Sequence, residues 1–330
     1  MLQNIIIKVL MIGQDIQTAK QYLDNGQLVA IPTETVYGLA GNALNEKAVL
    51  AIFKVKQRPS FDPLIVHTDS WDKLHQFVTE VPEQATLLAQ HLVPGAITFL
   101  LPKKSIVPDL VTSGLPLVAV RIPAHPLALA LLKTLAYPLA APSANPFGYI
   151  SPTTAQHVAQ QLGDKIPYIL DGGACQIGVE STIIGFEGGV PTIYRKGGIA
   201  IEVIENLIGK VQLQEHSSSN PKAPGQLKSH YAPHTAFELL DRATLLKKLS
   251  DTPHKNKLAI LSFQDYVSAV PLENQRVLSP TGSFSEAARH LFAYMRELDA
   301  LGCEAIWAEQ VPDVDLGRAI NDRLRRAAAR

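Results

Sequence analysis

The sequence of 330 residues has very little cysteine. The two cysteines, Cys175 and Cys303, lie far apart and show no CxxC spacing. Their scarcity and separation exclude a zinc knuckle and a disulfide-stabilised scaffold, and they are typical of a protein in a reducing compartment. We therefore expect two ordinary buried thiols and a cytoplasmic location.

The chain also has no excess charge and no long apolar run. Its 30 basic and 30 acidic residues give a formal net charge of zero. Such a chain is not drawn to nucleic acid by its overall field, so any RNA contact must be local. No run of about 18 apolar residues predicts a membrane helix. The short apolar N-terminus is interrupted by Lys8, and we predict a strand at residues 5–10 rather than a signal peptide.

The residues that are present predict two α/β domains. Hydrophobic residues make up 46% of the chain and charged residues 18%, which is enough apolar material for real cores. Alternating strand and helix patterns over residues 1–210 predict a twisted mixed sheet with helices packed on it. Short strands within 235–330 predict a smaller Rossmann-like domain. Residues 211–234 join the two domains as a linker, whose first half is rich in serine and proline.

One helix of the second domain has a clear start signal. Ser283 and Glu286 have the spacing of a capping box, in which each residue bonds the backbone of the other. Apolar residues at helical spacing continue to Leu301, and Gly302 follows as the predicted stop.

The segment from Ile31 to Ala40 organises the first domain. A buried strand ends at Pro32, and polar residues suited to ligand recognition follow, among them Thr35. A helix capped by Asn45 then ends in the sequence Lys-Gln-Arg at residues 56–58. A strand end leading into a polar loop and two basic residues is typical of an anion-binding pocket in an α/β protein.

Further polar motifs stand at the ends of other predicted strands. They are His67, Arg121, Ser143 with Asn145, Ser151, Glu180-Ser181-Thr182 and Arg195-Lys196. If the sheet brings these ends together, the pocket holds four or five cations. A cation about 4 Å from a phosphate oxygen contributes roughly 4 kcal/mol at an effective dielectric of 20, whereas a neutral hydrogen bond contributes roughly 1 kcal/mol. The cations would therefore set affinity for a polyanion such as a triphosphate.

Each of these motifs also fits an ordinary role when it is taken alone. Arg121 could form a structural ion pair, and His67 could be a hydrogen-bonded core imidazole. Lys56 and Arg58 could be a solvated helix end. The prediction of a site depends on the joint occurrence of the motifs. Among general sequence motifs, no P-loop, HExxH, nucleophile elbow or Cys/His metal set is present.

Taken together, the motifs resemble a known family. The matching segments are Pro-Thr-Glu-Thr-Val-Tyr-Gly-Leu (32–39), Lys-x-Arg (56–58), Ser-x-Asn (143–145), Val-Glu-Ser-Thr-Ile (179–183), Arg-Lys-Gly (195–197) and Pro-Gly-x-x-x-x-His-Tyr-Ala-Pro (224–233). In this order and spacing they resemble the YrdC-like domain and linker of the two-domain threonylcarbamoyl-AMP synthases. The resemblance is strong over residues 20–200 and in the linker, and it rests on architecture alone beyond residue 235.

The resemblance implies an enzyme that joins L-threonine, bicarbonate and ATP to give threonylcarbamoyl-adenylate and pyrophosphate. Other proteins would then use this product to modify an adenosine beside the tRNA anticodon, so contact with tRNA is expected to be indirect. No membrane partner is expected. Magnesium is the expected cofactor, held by the ATP phosphates, and no protein ligand for it is predicted.

The resemblance also assigns roles to residues of this chain. The predicted catalytic residues are Lys56, Arg58, Ser143 and Asn145. The predicted ATP-binding residues are Lys56, Arg58, Asp62, Leu117, Ser143, Asn145, Ser151, Arg195 and Tyr231. The predicted threonine-binding residues are Thr35, His67, Arg121, Ala141 and Ser181. Tyr231 and its linker neighbours are expected to fold over the pocket as a lid. His67 and Glu34 are candidates for a general base, although positioning alone could suffice.

Two other functions would also use a domain of this kind or a basic pocket, and the sequence favours neither. Carbamoyltransferases that mature hydrogenases use a similar domain, but they carry cysteine-rich zinc motifs, and this chain has two isolated cysteines. A non-catalytic module for double-stranded RNA would need a broad basic field, which a net charge of zero does not favour. Pyrophosphate release without any RNA would distinguish the enzyme from the RNA-binding module.

Overall fold

The structure is a computed structural model that describes residues 11–214, 223–225 and 227–329. The strand predicted at residues 5–10 lies outside these ranges, as do residues 215–222 and 226 of the predicted linker. Within the described residues, no helix is both long and apolar enough to cross a membrane.

The first domain is built on a mixed sheet that has eleven strands among the residues described. The strands are β1 Met11–Gly13, β2 Val29–Ile31, β3 Gly38–Asn42, β4 Ile65–His67, β5 Ile97–Pro102, β6 Leu117–Arg121, β7 Leu139–Ala140, β8 Tyr168–Leu170, β9 Thr182–Gly185, β10 Thr192–Arg195 and β11 Gln212–Leu213. Their order across the sheet is β1-β8-β2-β3-β7-β4-β6-β5-β9-β10-β11. The predicted mixed α/β architecture is therefore confirmed.

Helices pack on this sheet, and some of them begin at a residue whose side chain caps the helix. They are α1 Ile16–Asp24, α2 Glu46–Lys56, α3 Trp71–Leu74, α4 Glu83–Leu92, α5 Asp109–Thr112, α6 Pro126–Thr134, α7 Ala155–Leu162 and α8 Ile201–Ile208. The carboxylate of Asp15 caps α1, and the side-chain amide oxygen of Asn45 caps α2. Helix α2 ends in a left-handed residue, Gln57, which turns the chain at the basic motif.

The sheet register places polar strand ends side by side. Strands β4 and β6 run parallel with His67 opposite Arg121. A backbone bridge pairs Gly38, at the start of β3, with Ser143, just after β7. Four segments that are distant in sequence therefore meet at the edge where the candidate site lies.

The second domain is a smaller parallel α/β unit. Its strands are β12 Ala236–Leu240, β13 Leu258–Ser262, β14 Gln275–Val277 and β15 Ala305–Glu309, and its helices are α9 Arg242–Asp251, α10 Phe284–Asp299 and α11 Gly317–Ala328. The strands pair in the order β12-β15-β13-β14, all in parallel. Its core continues into the first domain, since Val36, Ile150 and Val179 belong to the same buried cluster as Phe292 of α10.

Several predicted details were wrong or incomplete. Strands β3, β11 and β14 and helices α3, α5, α8 and α9 were missed. The capping box forms only by half: the Ser283 hydroxyl accepts the Glu286 backbone N–H, but the Glu286 carboxylate bonds Ser279 instead of returning to Ser283. Helix α10 ends at Asp299, so Leu301 lies beyond it.

Candidate functional site

A cavity of about 50 Å³ lies where the strand ends of the first domain meet the linker. Its walls carry three arginines, two histidines, one glutamate and several hydroxyl groups. The lining residues are Thr33, Thr35, Val36, Gly38, Arg58, Pro63, Ile65, His67, Arg121, Ala141, Pro142, Ser143, Glu180, Arg195, Pro224, Gly225, His230 and Tyr231. Eight of the predicted site residues are in this wall: Thr35, Arg58, His67, Arg121, Ala141, Ser143, Arg195 and Tyr231.

The other predicted residues lie behind the wall. Lys56 is buried, and its ammonium donates to the carbonyls of Ser143 and Asn145, both at 2.5 Å. Burial, together with the charge of Arg58, lowers the pKa of Lys56 well below its usual value. Lys56 therefore fixes the loop that carries Ser143 in this structure, and does not itself line the cavity.

Arg58 lines the cavity, and residues on the side away from the cavity hold its guanidinium in place. Its guanidinium donates to the carbonyls of Asp62 at 3.0 Å and Pro63 at 2.8 Å. It also forms an ion pair of 2.9 Å with the Asp62 carboxylate, which is fully buried. Asp62 therefore orients Arg58 from behind, and the structure places it outside the cavity wall.

Arg121 and Glu34 form a second buried pair. The Arg121 guanidinium donates to the Glu34 carboxylate at 2.5 Å, to the Thr35 hydroxyl at 2.9 Å and to the Gly95 carbonyl at 3.3 Å. An arginine has five N–H donors, so two remain beyond these contacts for a ligand. This fork geometry suits a carboxylate.

His67 lies beside Arg121 and is neutral. Burial and the Arg121 charge lower the pKa of His67 to about 3. A neutral imidazole offers one hydrogen-bond donor and one acceptor. With so low a pKa, it is a weak base at neutral pH.

Arg195 is the third arginine of the cavity wall. Its guanidinium donates to the Ser181 carbonyl and to the Ser181 hydroxyl, each at 3.0 Å. Ser181 therefore lies behind Arg195, and a second bond of 2.7 Å joins its hydroxyl to Thr98. Burial lowers the pKa of Arg195 to about 10, which leaves it charged at neutral pH.

Ser151 and Leu117 also lie outside the wall. The Ser151 hydroxyl donates to the Glu180 carboxylate at 2.6 Å, and Glu180 lines the cavity. Leu117 packs in a small apolar cluster with Ile65, a lining residue, and with Ala223 of the linker.

The linker closes the cavity on the side facing the second domain. Tyr231 is buried in a left-handed backbone conformation with φ of 66°. Its ring lies 5.3 Å from that of Phe292 and 4.7 Å from the Arg326 guanidinium. The other linker residues in the wall are Pro224, Gly225 and His230. The second domain therefore holds the linker against the cavity.

Ten of the 18 lining residues were not among the predicted site residues, and three of these are notable: Glu180, His230 and Gly225. Glu180 stood in a motif that the sequence did mark, and His230 stood in the linker motif. Gly225 has φ of 74°, and a side chain there would meet the Arg195 guanidinium at 3.1 Å. The proline directly before it, Pro224, is a sequence signal that could have predicted a turn at Gly225.

Acid is expected to loosen the linker through His230. Burial and the charges of Arg326 and Arg58 lower the pKa of His230 well below its usual value. The group stays neutral in the closed form and takes up a proton when released, so closure is stable above about pH 6.5 and weakens below it. Hydrogen-exchange protection of residues 227–232 should fall about tenfold per pH unit below 6.5.

The matched variant for this measurement is His230→Phe, which retains a ring against Phe147 but cannot titrate. Its protection factors should stay level between pH 7.5 and 5.5. An equal loss of protection in this variant would assign the acid response to other groups.

Comparisons with known proteins agree with this geometry. The family profile described as "Telomere recombination" matches residues 21–197, and the profile described as "Threonylcarbamoyl-AMP synthase, C-terminal domain" matches residues 199–329. The threonylcarbamoyl-AMP synthase of Pyrococcus abyssi is 40% identical over 324 residues, covering 95% of this chain and 94% of that protein. The Bacillus subtilis protein of the same name is 37% identical over 322 residues, covering 95% and 92%.

A solved structure extends the similarity to the whole architecture. The crystal structure of P. abyssi Sua5 complexed with L-threonine superposes with a TM-score of 0.90 at 38% identity, covering 97% of each chain.

Proposed function

The chain belongs to the threonylcarbamoyl-AMP synthase family, and we propose that the cavity described above binds both ATP and L-threonine. The enzyme makes threonylcarbamoyl-AMP, and it is a nucleotidyltransferase. The observation that carries the proposal is the convergence of Arg58, Arg121 and Arg195 on one closed space.

The Arg121 side of the cavity suits threonine. The two N–H donors that Arg121 keeps beyond its bonds to Glu34, Thr35 and Gly95 would bind the substrate carboxylate as a fork. The neutral imidazole of His67 and the hydroxyl of Thr35 lie beside it and would bind the amine or hydroxyl group. Ala141 also lines this part of the cavity.

The Arg58 and Arg195 side suits the nucleotide. Both guanidiniums line the cavity, as does Ser143, whose loop is held by Lys56. Charged donors of this kind stabilise the negative charge that develops on a departing pyrophosphate. Positioning and charge neutralisation supply most of what phosphoryl chemistry requires from a protein.

We propose that bicarbonate supplies the carbon that joins the two substrates. Bicarbonate loses hydroxide to give carbon dioxide, and the unprotonated threonine amine forms an N–C bond to this carbon as one C–O π bond opens to a carboxylate oxygen. The proton lost by the amine combines with the hydroxide to give water. An oxygen of the resulting carbamate then forms a bond to the α-phosphorus, and the bond to the bridging oxygen breaks as pyrophosphate leaves. Neither candidate base is well suited, because His67 has a pKa of about 3 and Glu34 is paired with Arg121. The residues therefore act mainly by orientation.

We propose that magnesium reaches the cavity together with ATP. No group of three acidic, histidine or cysteine residues that could hold a metal ion occurs among the described residues. However, Oδ1 of Asp62 and Oδ1 of Asn145 are buried oxygens without a hydrogen-bond donor. Magnesium commonly takes one or two protein oxygens together with substrate phosphates. Because both oxygens lie behind the cavity wall, we propose that the ATP phosphates hold an ion that arrives with ATP and offsets their charge.

The linker must move for the substrates to enter. A volume of about 50 Å³ is far below the range of roughly 300–1,000 Å³ for ligand pockets. Four linker residues form part of the wall, so their displacement enlarges the cavity. After closure the linker would keep water from the labile carbamate adenylate. Release would then pass the adenylate to the transfer proteins that modify tRNA. The two free thiols fit a reducing cytoplasm.

Tyr231→Ala is expected to shorten the lifetime of the enzyme-bound adenylate at least tenfold. Loss of a buried aromatic side chain removes about 3 kcal/mol of packing, here against Phe292 and Arg326, and so favours the open linker. Single-turnover measurements of adenylate formation and decay would show this. The control is Tyr266→Ala, because Tyr266 is 54% exposed. Equal lifetimes for wild type and Tyr231→Ala would contradict the role of the linker.

The reaction itself is tested with the purified chain, ATP, threonine and bicarbonate, without RNA. Pyrophosphate release should depend on both threonine and bicarbonate, and mass spectrometry should find threonylcarbamoyl-adenylate. Pyrophosphate release that does not depend on threonine, or that requires RNA, would overturn the proposal.

A further inference from the structure

Arg195 differs from the other two arginines of the cavity in having no acidic partner. Arg58 is paired with Asp62, and Arg121 is paired with Glu34. Among the residues described, Arg195 makes no ion pair, and its bonds go to oxygens of Ser181 and Pro224. Its charge is therefore the one least compensated by the protein.

The acidic residue that could pair with Arg195 is Glu180, but other residues already bind its carboxylate. Glu180 lines the cavity with Arg195, and the two charges interact. However, Glu180 Oε2 lies 3.0 Å from both Nε and Nη2 of Arg323, a residue of α11 in the second domain. Glu180 Oε1 accepts the Ser151 hydroxyl. Both oxygens of Glu180 are thus engaged away from Arg195.

Several contacts hold the Arg323 side chain in the position in which it binds Glu180. It is fully buried, and its Nη1 donates to the Lys196 carbonyl and, at 3.1 Å, to Asp322. Although burial opposes it, the charges of Arg323 and Arg195 hold the pKa of Glu180 below its usual value. Glu180 is consequently a carboxylate at neutral pH, and without Arg323 its nearest remaining cation in the wall would be Arg195.

We propose that Arg323 is a positioning residue of the reaction: by binding Glu180, it leaves Arg195 without an acidic partner and available for the phosphates of ATP. This inference rests on the proposed function. It gives the second domain a part in nucleotide binding in addition to holding the linker, to which Arg323 also contributes because its guanidinium lies 5.5 Å from the centre of the Tyr231 ring. A charged pair in the wall would otherwise weaken the attraction between Arg195 and a polyanion.

The test measures KM for ATP and for threonine in Arg323→Gln. Arg195 should turn to Glu180, raising the KM for ATP about tenfold while the KM for threonine stays within twofold. Arg323→Lys retains the charge and should lie close to wild type. The double variant Arg323→Gln with Glu180→Gln removes the competing carboxylate, and its KM for ATP should return to within about threefold of wild type.

The control is Arg325→Gln on the same helix, whose side chain is 46% exposed, and it should match wild type. Melting temperatures are measured in parallel. An equal rise in both KM values, or a double variant worse than Arg323→Gln, would show that Arg323 is only structural. A wild-type chain that releases no pyrophosphate with threonine and bicarbonate would refute the proposed function instead.

Discussion

Replacing Arg58 with alanine is expected to raise the KM for ATP about 100-fold and nearly abolish pyrophosphate release at ordinary ATP concentrations. Arg58 presents its guanidinium to the cavity, and Asp62 with two backbone carbonyls fixes its direction. Loss of one buried charged contact weakens binding by about 2–5 kcal/mol, and about 2.7 kcal/mol corresponds to 100-fold. Steady-state pyrophosphate release as a function of ATP concentration measures the effect.

Two controls separate this effect from damage to the fold. Lys54→Ala removes an exposed cation from helix α2, which ends two residues before Arg58, and should leave the KM for ATP unchanged. Arg58→Gln combined with Asp62→Asn removes both charges of the buried pair, and threonine binding measured by calorimetry should persist. Unchanged turnover in Arg58→Ala would exclude Arg58 from the nucleotide site.

Replacing Arg121 with glutamine is expected to raise the KM for threonine at least 100-fold. Arg121 has two free donors for a carboxylate beside its contacts with Glu34, Thr35 and Gly95. Loss of a bidentate charged contact removes about 3 kcal/mol of binding, which is more than 100-fold. The KM for ATP should change little, because Arg58 and Arg195 remain in place.

The buried pair with Glu34 requires its own control. Arg121→Gln alone leaves Glu34 buried without its cation, which destabilises a protein by about 3–5 kcal/mol. Arg121→Gln combined with Glu34→Gln avoids that effect and should show the same defect for threonine. Near-normal threonine dependence in the double variant would mean that Arg121 serves only as an ion-pair partner in the core.

Much of the first domain could be predicted because its signals are local. Asn45 caps a helix, apolar runs form buried strands, and polar residues follow those strands. Strand ends meet at one edge of a sheet, which is why His67 and Arg121 were expected near each other and are in register. Strand β3 was missed because its short, glycine-containing sequence resembles the loop before it.

The part of the site that could not be predicted depends on distant contacts. Nothing in the sequence around Arg323 indicates that it reaches Glu180, 143 residues away. The pairing of Arg58 with Asp62 and of Arg121 with Glu34 also follows from burial, which the sequence does not reveal. For the same reason, Lys56 was expected in the wall, whereas its ammonium bonds the loop behind it.

The central claim is that one cavity receives both substrates, and a crystal structure with threonine and a non-hydrolysable ATP analogue bound together tests it most directly. We expect the threonine carboxylate at Arg121, the phosphates between Arg58 and Arg195, and the linker displaced or reclosed over them. An analogue bound elsewhere, for example in the basic groove lined by Lys228 and Arg325 with the cavity empty, would contradict the account.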